Sequence, residues 1–167
     1  DSRHLAEVFQ GKRDGYNYGR QLNPTVTALQ KRITKMESGK ASVAFATGMA
    51  AIASTMLALL KSGDHLIASA FLFGNTASFF TTLERFGIEV SFVDATDVSN
   101  VAAAVKENTR VVFVETIANP ATQIADLEAI GELCGTYSIL YVVDNTMTSP
   151  HLFLPRSVNA GLSVNAL

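Results

Sequence analysis

Apolar residues follow a helical spacing in the first part of the chain. Four of them recur every three or four positions: Val26, Leu29, Ile33 and Met36. Asparagine, proline and threonine precede this run, and such residues are typical of a helix start, so we predict a helix that begins near Pro24 and ends at 38–39. A shorter polar and apolar stretch predicts another helix at 5–12, which the glycines and tyrosines of 15–20 end.

Further along, short β-branched runs alternate with longer helical patterns. The pattern predicts strands at 42–46, 65–68, 89–93, 110–115 and 139–144, and helices at 49–60, 75–86, 98–107 and 126–137. Strands that alternate with helices require crossover connections, which build a parallel sheet covered on both faces. We therefore predict a three-layer α/β domain with a mostly parallel sheet over 41–167, preceded by an N-terminal arm and first helix over 1–40.

Composition is typical of a globular protein. The 167 residues are 48% hydrophobic and 17% charged, which suffices for a domain with its own core. The 13 Lys and Arg residues against 15 Asp and Glu residues give a net charge of −2. Because this balance provides no basic surface, neither a nucleic acid nor an anionic membrane is expected as a partner.

The single cysteine, Cys134, excludes an internal disulfide and favours a reducing, cytoplasmic location, with the thiol as a small core residue. Residues 41–60 carry no charge and could be taken for a membrane span. Polar residues interrupt that stretch, however, and Gly48 lies where a strand pattern changes into a helix pattern. A buried strand-loop-helix unit is therefore the preferred interpretation.

In parallel sheets, ligands bind outside the carboxyl ends of the strands, so the residues that follow each predicted strand form the candidate site. They are Thr47-Gly48-Met49, residues 71–76, residues 115–120 and Asp144-Asn145-Thr146. Gly48 allows close approach of the backbone, and the free N–H groups of the next helix suit a phosphate. Neither the GxxxxGK[ST] nor the GxGxxG nucleotide motif is present, which leaves a cofactor with a single phosphate.

Three other strand ends add chemistry, and each has a structural alternative. Asp144 could pair with a cation or cap the following turn. Phe73 could stack on a flat ligand or belong to the core, and Asn119 could donate a hydrogen bond or form an Asn-Pro turn. Together, a helix N-terminus, a ring, an amide and a buried acid meet the demands of pyridoxal phosphate, whose ring nitrogen needs an acidic partner.

Other kinds of site fit the sequence less well. The three histidines, His4, His65 and His151, give no metal-ligand spacing with one cysteine, so no metal is expected. There is no G-x-S-x-G motif. No pair of carboxylates can be assigned to one active site from its spacing.

Five blocks of the sequence, in order, resemble those of the Cys/Met-metabolism family of pyridoxal-phosphate enzymes. They are Tyr18-Gly19-Arg20-Gln21-Leu22-Asn23-Pro24-Thr25, Thr47-Gly48-Met49-Ala50-Ala51-Ile52, Phe73-Gly74-Asn75-Thr76, Glu115-Thr116-Ile117-Ala118-Asn119-Pro120 and Val143-Asp144-Asn145-Thr146. The resemblance covers nearly the whole chain. It implies that the sheet is the large, cofactor-binding domain of a fold type I enzyme similar to aspartate aminotransferase, incomplete in this chain.

The resemblance also implies a set of cofactor contacts. Tyr18 and Arg20 would reach the cofactor phosphate of a neighbouring subunit, which implies a dimer with shared sites, and the family usually forms tetramers. The remaining contacts would be the Gly48 and Met49 amides at the phosphate, Phe73 on the ring, Asn119 near the 3′ oxygen, Asp144 at the ring nitrogen and Thr146 beside the ring.

Two departures from the family pattern stand out. Phe73 stands where much of the family has tyrosine, as in some homoserine-ester sulfhydrylases. Ala166 stands where the family's Ser-x-Thr-Lys block would begin, and the chain stops two positions before the expected lysine. The resemblance therefore implies that the cofactor-binding lysine and the C-terminal domain lie beyond Leu167, that no catalytic residue is present in this chain, and that the chain alone is inactive.

For the parent protein, the resemblance implies an enzyme that replaces the acyl group of an O-acyl-homoserine by a sulfur nucleophile. The alternatives are a γ- or β-lyase of the same family, which would cleave methionine or cystathionine, and a non-catalytic truncated scaffold. An α/β nucleotide-binding module unrelated to pyridoxal phosphate is a third hypothesis, but it leaves the segment with Tyr18 and Arg20 unexplained.

Overall fold

The chain divides into two compact units, Asp1–Ala44 and Phe45–Leu167. The first unit contains two helices. The computed structural model describes residues 2–20 and 22–166. Helix α1 spans Ser2–Phe9 and helix α2 spans Pro24–Met36. The Asn23 side chain caps α2 by accepting hydrogen bonds from the second and third residues of the helix, at 2.9 and 3.3 Å, and the predicted start near Pro24 is confirmed. Helix α1 begins and ends a few residues earlier than predicted.

The second unit contains a five-stranded sheet and its helices. The strands are β1 (His65–Ser69), β2 (Glu89–Val93), β3 (Thr109–Glu115), β4 (Leu140–Asp144) and β5 (Leu162–Val164). The helices are α3 (Gly48–Leu59), α4 (Gly74–Leu83), α5 (Val98–Ala104), α6 (Leu127–Tyr137) and α7 (Ser149–Leu152). Short 3₁₀ turns follow α4 at Glu84–Phe86 and precede β5 at Pro155–Val158. The strand order is β2-β1-β3-β4-β5, and every neighbouring pair is parallel.

Helices cover both faces of the sheet, which confirms the predicted three-layer α/β fold. Alternate residues of each strand point to opposite faces. On one face Phe113 and Val142 pack in a core with residues of α3 and α4, and on the other Val112 and Val143 pack with residues of α5 and α6. The central strands β3 and β4 therefore have apolar side chains on both faces, as expected for a buried parallel sheet.

The predicted strand at 42–46 is wrong, because the structure places no strand there. Its alternating pattern suits a strand, but a strand forms only when a neighbour takes up its backbone hydrogen bonds. Val43 and Phe45 are 71% and 42% exposed instead. Conversely, β5 and α7 escaped prediction because elements this short have too few residues to show a period.

Cys134 lies on α6 and is 2% exposed, in the core between this helix and the sheet. Burial raises the pKa of its thiol to about 12. The predicted role as a small core residue is confirmed, and the thiol is chemically inert at neutral pH.

Over residues 2–20 and 22–166, no helix combines the length and the hydropathy needed to cross a bilayer.

The His65 side chain is completely buried at the start of β1. Its Nδ1 atom lies 2.8 Å from Thr109 Oγ1, and its Nε2 atom lies 2.9 Å from Ser91 Oγ. Burial, followed by the positive charge of Lys106, lowers the pKa of His65 below its ordinary value of 6.5. The unfolded chain therefore binds this proton more tightly than the folded one, so His65 destabilises the fold as the pH falls below 6.5.

We expect the free energy of unfolding to fall as the pH is lowered from 7 to 5.5, and this slope to be smaller in a His65→Gln variant, which cannot be protonated. At pH 7 the substitution should itself cost about 1–3 kcal/mol, because it disturbs the hydrogen bonds to the buried Thr109 hydroxyl and the half-buried Ser91 hydroxyl. Urea titrations of both proteins at each pH measure the difference. Equal slopes would contradict the assignment.

Candidate active site

Two acidic residues end neighbouring strands at the carboxyl edge of the sheet. Glu115 ends β3, Asp144 ends β4, and the two are paired across the parallel ladder. By the alternation of the strands they lie on the same face as Phe113 and Val142, the face that α3 and α4 cover. Their exposures are only 7% and 8%. The structure thus brings together a carboxylate pair that spacing along the sequence could not reveal.

Asp144 is a buried acid without a cationic partner in the part of the chain that the structure describes. Its Oδ1 atom accepts a hydrogen bond of 2.9 Å from the Thr146 backbone N–H. Burial raises the pKa of the Asp144 carboxyl, and the hydrogen bonds from Thr146 only partly oppose this shift. Asp144 therefore does cap the following turn, but its charge is still unbalanced.

The segment after β5 joins Asp144 to the start of α3. The Thr146 Oγ1 atom accepts a hydrogen bond of 2.9 Å from the Ala166 N–H. A Cβ atom added to Gly48 would lie 2.7 Å from the Ala166 Cβ, closer than real Cβ contacts. Gly48 is therefore favoured because the Ala166 methyl group approaches it closely, which places the N-terminus of α3 next to the turn that follows Asp144.

The first turn of α3 has free backbone donors. Thr47 caps the helix by accepting a hydrogen bond of 3.0 Å from the Ala50 N–H. The N–H groups of Gly48 and Met49 have no acceptor within the helix. Such donors, together with the helix dipole, form a binding site for an anion such as a phosphate. The helix is where the sequence predicted it, although no strand precedes it.

Phe73 lies at the start of α4 with its side chain 44% exposed. Its backbone N–H donates a hydrogen bond of 2.7 Å to Glu115 Oε1. Its carbonyl oxygen accepts from Thr76 and Ala77 at 2.9 and 3.1 Å. The peptide of Phe73 is thus fixed on both sides, while its ring stays outside the core and can contact a ligand.

Asn119 lies in the exposed loop after β3, and a cis peptide bond joins it to Pro120. Hydrogen bonds of 2.9 Å, from Ala118 N–H to Gln123 O and from Thr122 N–H to Ala118 O, close this loop. Asn119 follows Glu115 closely in the chain, and its backbone N–H lies near enough to the Glu115 carboxylate to lower the pKa of that group. The loop is therefore tied to the same strand end as Phe73.

Tyr18 and Arg20 lie in the first unit, and their placement is described within that unit alone. Arg20 Nη2 donates a hydrogen bond of 2.6 Å to Tyr18 Oη, and the guanidinium carbon lies 4.9 Å from the centre of the Tyr18 ring. Both side chains are exposed. The structure therefore brings these two residues together as a pair available to an anionic group.

Among the described residues, no group of three or more His, Cys, Asp and Glu side chains is arranged to hold a metal ion. Glu115 instead accepts a hydrogen bond from the Phe73 peptide, and the turn after Asp144 lies near the N-terminus of α3. This chemistry suits an organic cation that carries a phosphate.

The family model of the Cys/Met metabolism PLP-dependent enzymes matches residues 1–167. The chain belongs to this family. Its members depend on pyridoxal 5′-phosphate (PLP), so the predicted family, the fold and the cofactor are all confirmed. The buried Asp144 and the donors of α3 fit this cofactor, which has a basic ring nitrogen and one phosphate.

Individual members of the Cys/Met metabolism family match at considerable identity. The chain is 44% identical over 155 residues to the L-methionine gamma-lyase of Fusobacterium nucleatum subsp. polymorphum, covering 92% of this chain and 39% of that protein. It is 39% identical over 166 residues to the O-acetyl-L-homoserine sulfhydrylase of Corynebacterium glutamicum, covering 98% and 38%. A solved structure of the O-acetylhomoserine sulfhydrylase of Wolinella succinogenes is 41% identical, with a TM-score of 0.82, and the match covers 86% of this chain and 41% of that one.

Glu115 is the site residue that sequence reasoning missed. It appeared as the last residue of a predicted strand and the first of a family block, without a role of its own. The available signal was that two predicted strands both end on an acid. Using it requires knowing that β3 and β4 are neighbours, which the order of elements along the chain does not determine.

Proposed function

We propose that the full-length protein is a PLP-dependent enzyme that replaces the acyl group of an O-acyl-homoserine by a sulfur nucleophile, forming homocysteine or cystathionine. The observation that carries this proposal is Asp144, a buried carboxylate at a strand end with no cationic partner among the described residues. The relatives named as sulfhydrylases support the reaction type.

Five parts of the second unit would hold the cofactor. Asp144 would pair with the ring nitrogen, the Gly48 and Met49 amides would bind the phosphate, Phe73 would cover the ring, Asn119 would lie near the 3′ oxygen, and Thr146 would lie beside the ring. When bound, PLP supplies an electron sink for negative charge that develops on the amino-acid substrate. Asp144 would keep a proton on the ring nitrogen, because an adjacent carboxylate raises the pKa of a base.

A lyase is the second candidate. The L-methionine gamma-lyase relative is at least as similar to the chain as the sulfhydrylase relatives are, which favours elimination at the γ-carbon as the alternative. Phe73 limits the chemistry that is available to either reaction. Its phenyl ring can stack on a cofactor but cannot transfer a proton as a tyrosine hydroxyl can.

We also propose that the enzyme is a cytoplasmic homo-oligomer, a tetramer built from dimers with shared sites. Tyr18 and Arg20 would reach the phosphate in a neighbouring subunit. Their mutual hydrogen bond and their exposure within the first unit support this role. Two side chains that are already held together lose less conformational entropy when they bind a phosphate.

The test is to incubate the full-length protein with PLP and to record the near-ultraviolet and visible absorbance spectrum of the protein. Turnover is then compared for an O-acyl-homoserine with sulfide and for methionine alone. A bound chromophore with homocysteine formation supports the proposal, and methionine cleavage alone supports the lyase. A protein that binds no PLP would exclude both.

A further inference from the structure

One carboxylate at the strand ends has no role in the contacts proposed so far. Glu115 is 7% exposed and, like Asp144, takes part in no ion pair of the described residues. A buried carboxylate beside a second one is costly, because the two charges repel each other in a poorly solvated place. Such a residue needs a reason to be where it is.

The contacts of Glu115 go to two backbone groups. Its Oε1 atom accepts the hydrogen bond of 2.7 Å from the Phe73 N–H, across 42 positions of sequence. The backbone N–H of Asn119 also lies near enough to this carboxylate to favour its ionised form. Glu115 thus ties together the loop after β1 and the loop after β3, which carry the two residues proposed to lie on the ring and at its 3′ oxygen.

The electrostatic surroundings of Glu115 support a role in holding these backbone groups. Burial raises the pKa of the Glu115 carboxyl, the Phe73 N–H opposes that shift, and the neighbouring Asp144 adds to it. The two backbone donors are thus the groups that favour the ionised form of a carboxylate that its surroundings otherwise disfavour. A hydrogen bond to a charged acceptor is stronger than a neutral one, so this contact holds the Phe73 peptide firmly.

We infer that Glu115 is a positioning residue that holds the Phe73 peptide, and through it the Phe73 ring, against the cofactor. This inference rests on the proposed function, in which Phe73 covers the PLP ring. The role is indirect, because Glu115 acts on the backbone of Phe73 and not on substrate. It predicts that Glu115 and Phe73 behave as one unit when they are substituted.

The first experiment needs no cofactor. Hydrogen exchange of the Phe73 amide is measured in the wild-type full-length protein and in the Glu115→Ala and Glu115→Gln variants. We expect exchange at least about tenfold faster in Glu115→Ala, because the acceptor is gone, and a smaller increase in Glu115→Gln, which keeps an oxygen there but loses the charge. Unchanged exchange in Glu115→Ala would overturn the inference whether or not PLP binds.

The second experiment is a double-mutant cycle on PLP affinity and on the visible circular dichroism of bound PLP. Glu115→Ala and Phe73→Ala should each weaken binding by about fivefold to tenfold, and the double variant should be no weaker than Phe73→Ala alone. Glu115→Gln should restore most of both readouts, since it keeps a neutral acceptor for the Phe73 N–H. Independent, multiplying effects would show a general structural role and overturn the inference.

Glu132→Ala is the matched control, since Glu132 is an exposed acid on α6, which packs on the other face of the sheet. It should leave the exchange of the Phe73 amide and the affinity for PLP unchanged. Failure of the wild-type protein to bind PLP would refute the proposed function, and the exchange measurement would still decide whether Glu115 holds Phe73.

Discussion

Asp144→Asn is expected to lower turnover of the full-length enzyme by at least about 10²–10³-fold while leaving the fold intact. A loss of this size accompanies removal of a single group that stabilises developing charge in an active site. Asparagine has nearly the same shape and keeps an oxygen that can accept the hydrogen bond from the Thr146 N–H. The substitution therefore removes the charge that would hold a proton on the ring nitrogen and little else.

The stability of the Asp144→Asn variant without cofactor should not fall as its turnover does. Because burial raises the pKa of Asp144, the folded protein binds this proton more tightly than the unfolded chain does. Stability is therefore lost as the pH rises from the unfolded value near 3.8 through the folded value, and at pH 7 the ionised acid lowers stability. Without cofactor, Asp144→Asn should be as stable as the wild type or more stable, and the rise in melting temperature that PLP causes should be smaller in the variant.

Asp144→Ala provides the comparison, since it removes both the charge and the cap. It should be about 1 kcal/mol less stable than Asp144→Asn, the usual value of such a cap. Its turnover should be equally low. If Asp144→Asn retained wild-type turnover and only Asp144→Ala were impaired, Asp144 would be a turn cap and no more.

The sequence predicted the elements with strong local signals well. In β3 and β4 an apolar run ends at an acid, and in α2 an Asn-Pro start precedes a regular helical period. In these elements local preference and tertiary packing agree. The membership of the family rested on several blocks in order, whose combined specificity no periodicity provides.

What could not be predicted depends on contacts between distant parts of the chain. The segment 42–46 has the pattern of a strand, but whether it pairs depends on a neighbour that the pattern does not specify. The hydrogen bond from Phe73 to Glu115 requires β1 and β3 to lie side by side. Only the strand order of the folded sheet reveals this, and the order of elements along the chain does not. The need for Gly48 is visible only once Ala166 is seen beside it.

Gly131→Ala is expected to destabilise the fold by about 3 kcal/mol or more, the upper range for overpacking a rigid site. A Cβ atom on Gly131 would overlap the carbonyl oxygen of Val158, a backbone atom that cannot move aside as a flexible side chain can. Helix α6 would be pushed from the turn at Pro155–Val158, which leads into β5.

The damage should reach the site as well. Val164 in β5 accepts a hydrogen bond of 2.7 Å from the Asn145 N–H, directly after Asp144. A shift of β5 would therefore move the turn that positions Asp144, so PLP affinity should fall together with stability.

Gly135→Ala, on the same helix, is the matched control. Nothing lies within 4 Å of a Cβ atom there, and alanine favours a helix over glycine by about 1 kcal/mol, so this variant should be more stable than the wild type and bind PLP normally. Thermal unfolding of both variants distinguishes the two sites. Equal effects would mean that the close approach of α6 to Val158 does not constrain the fold.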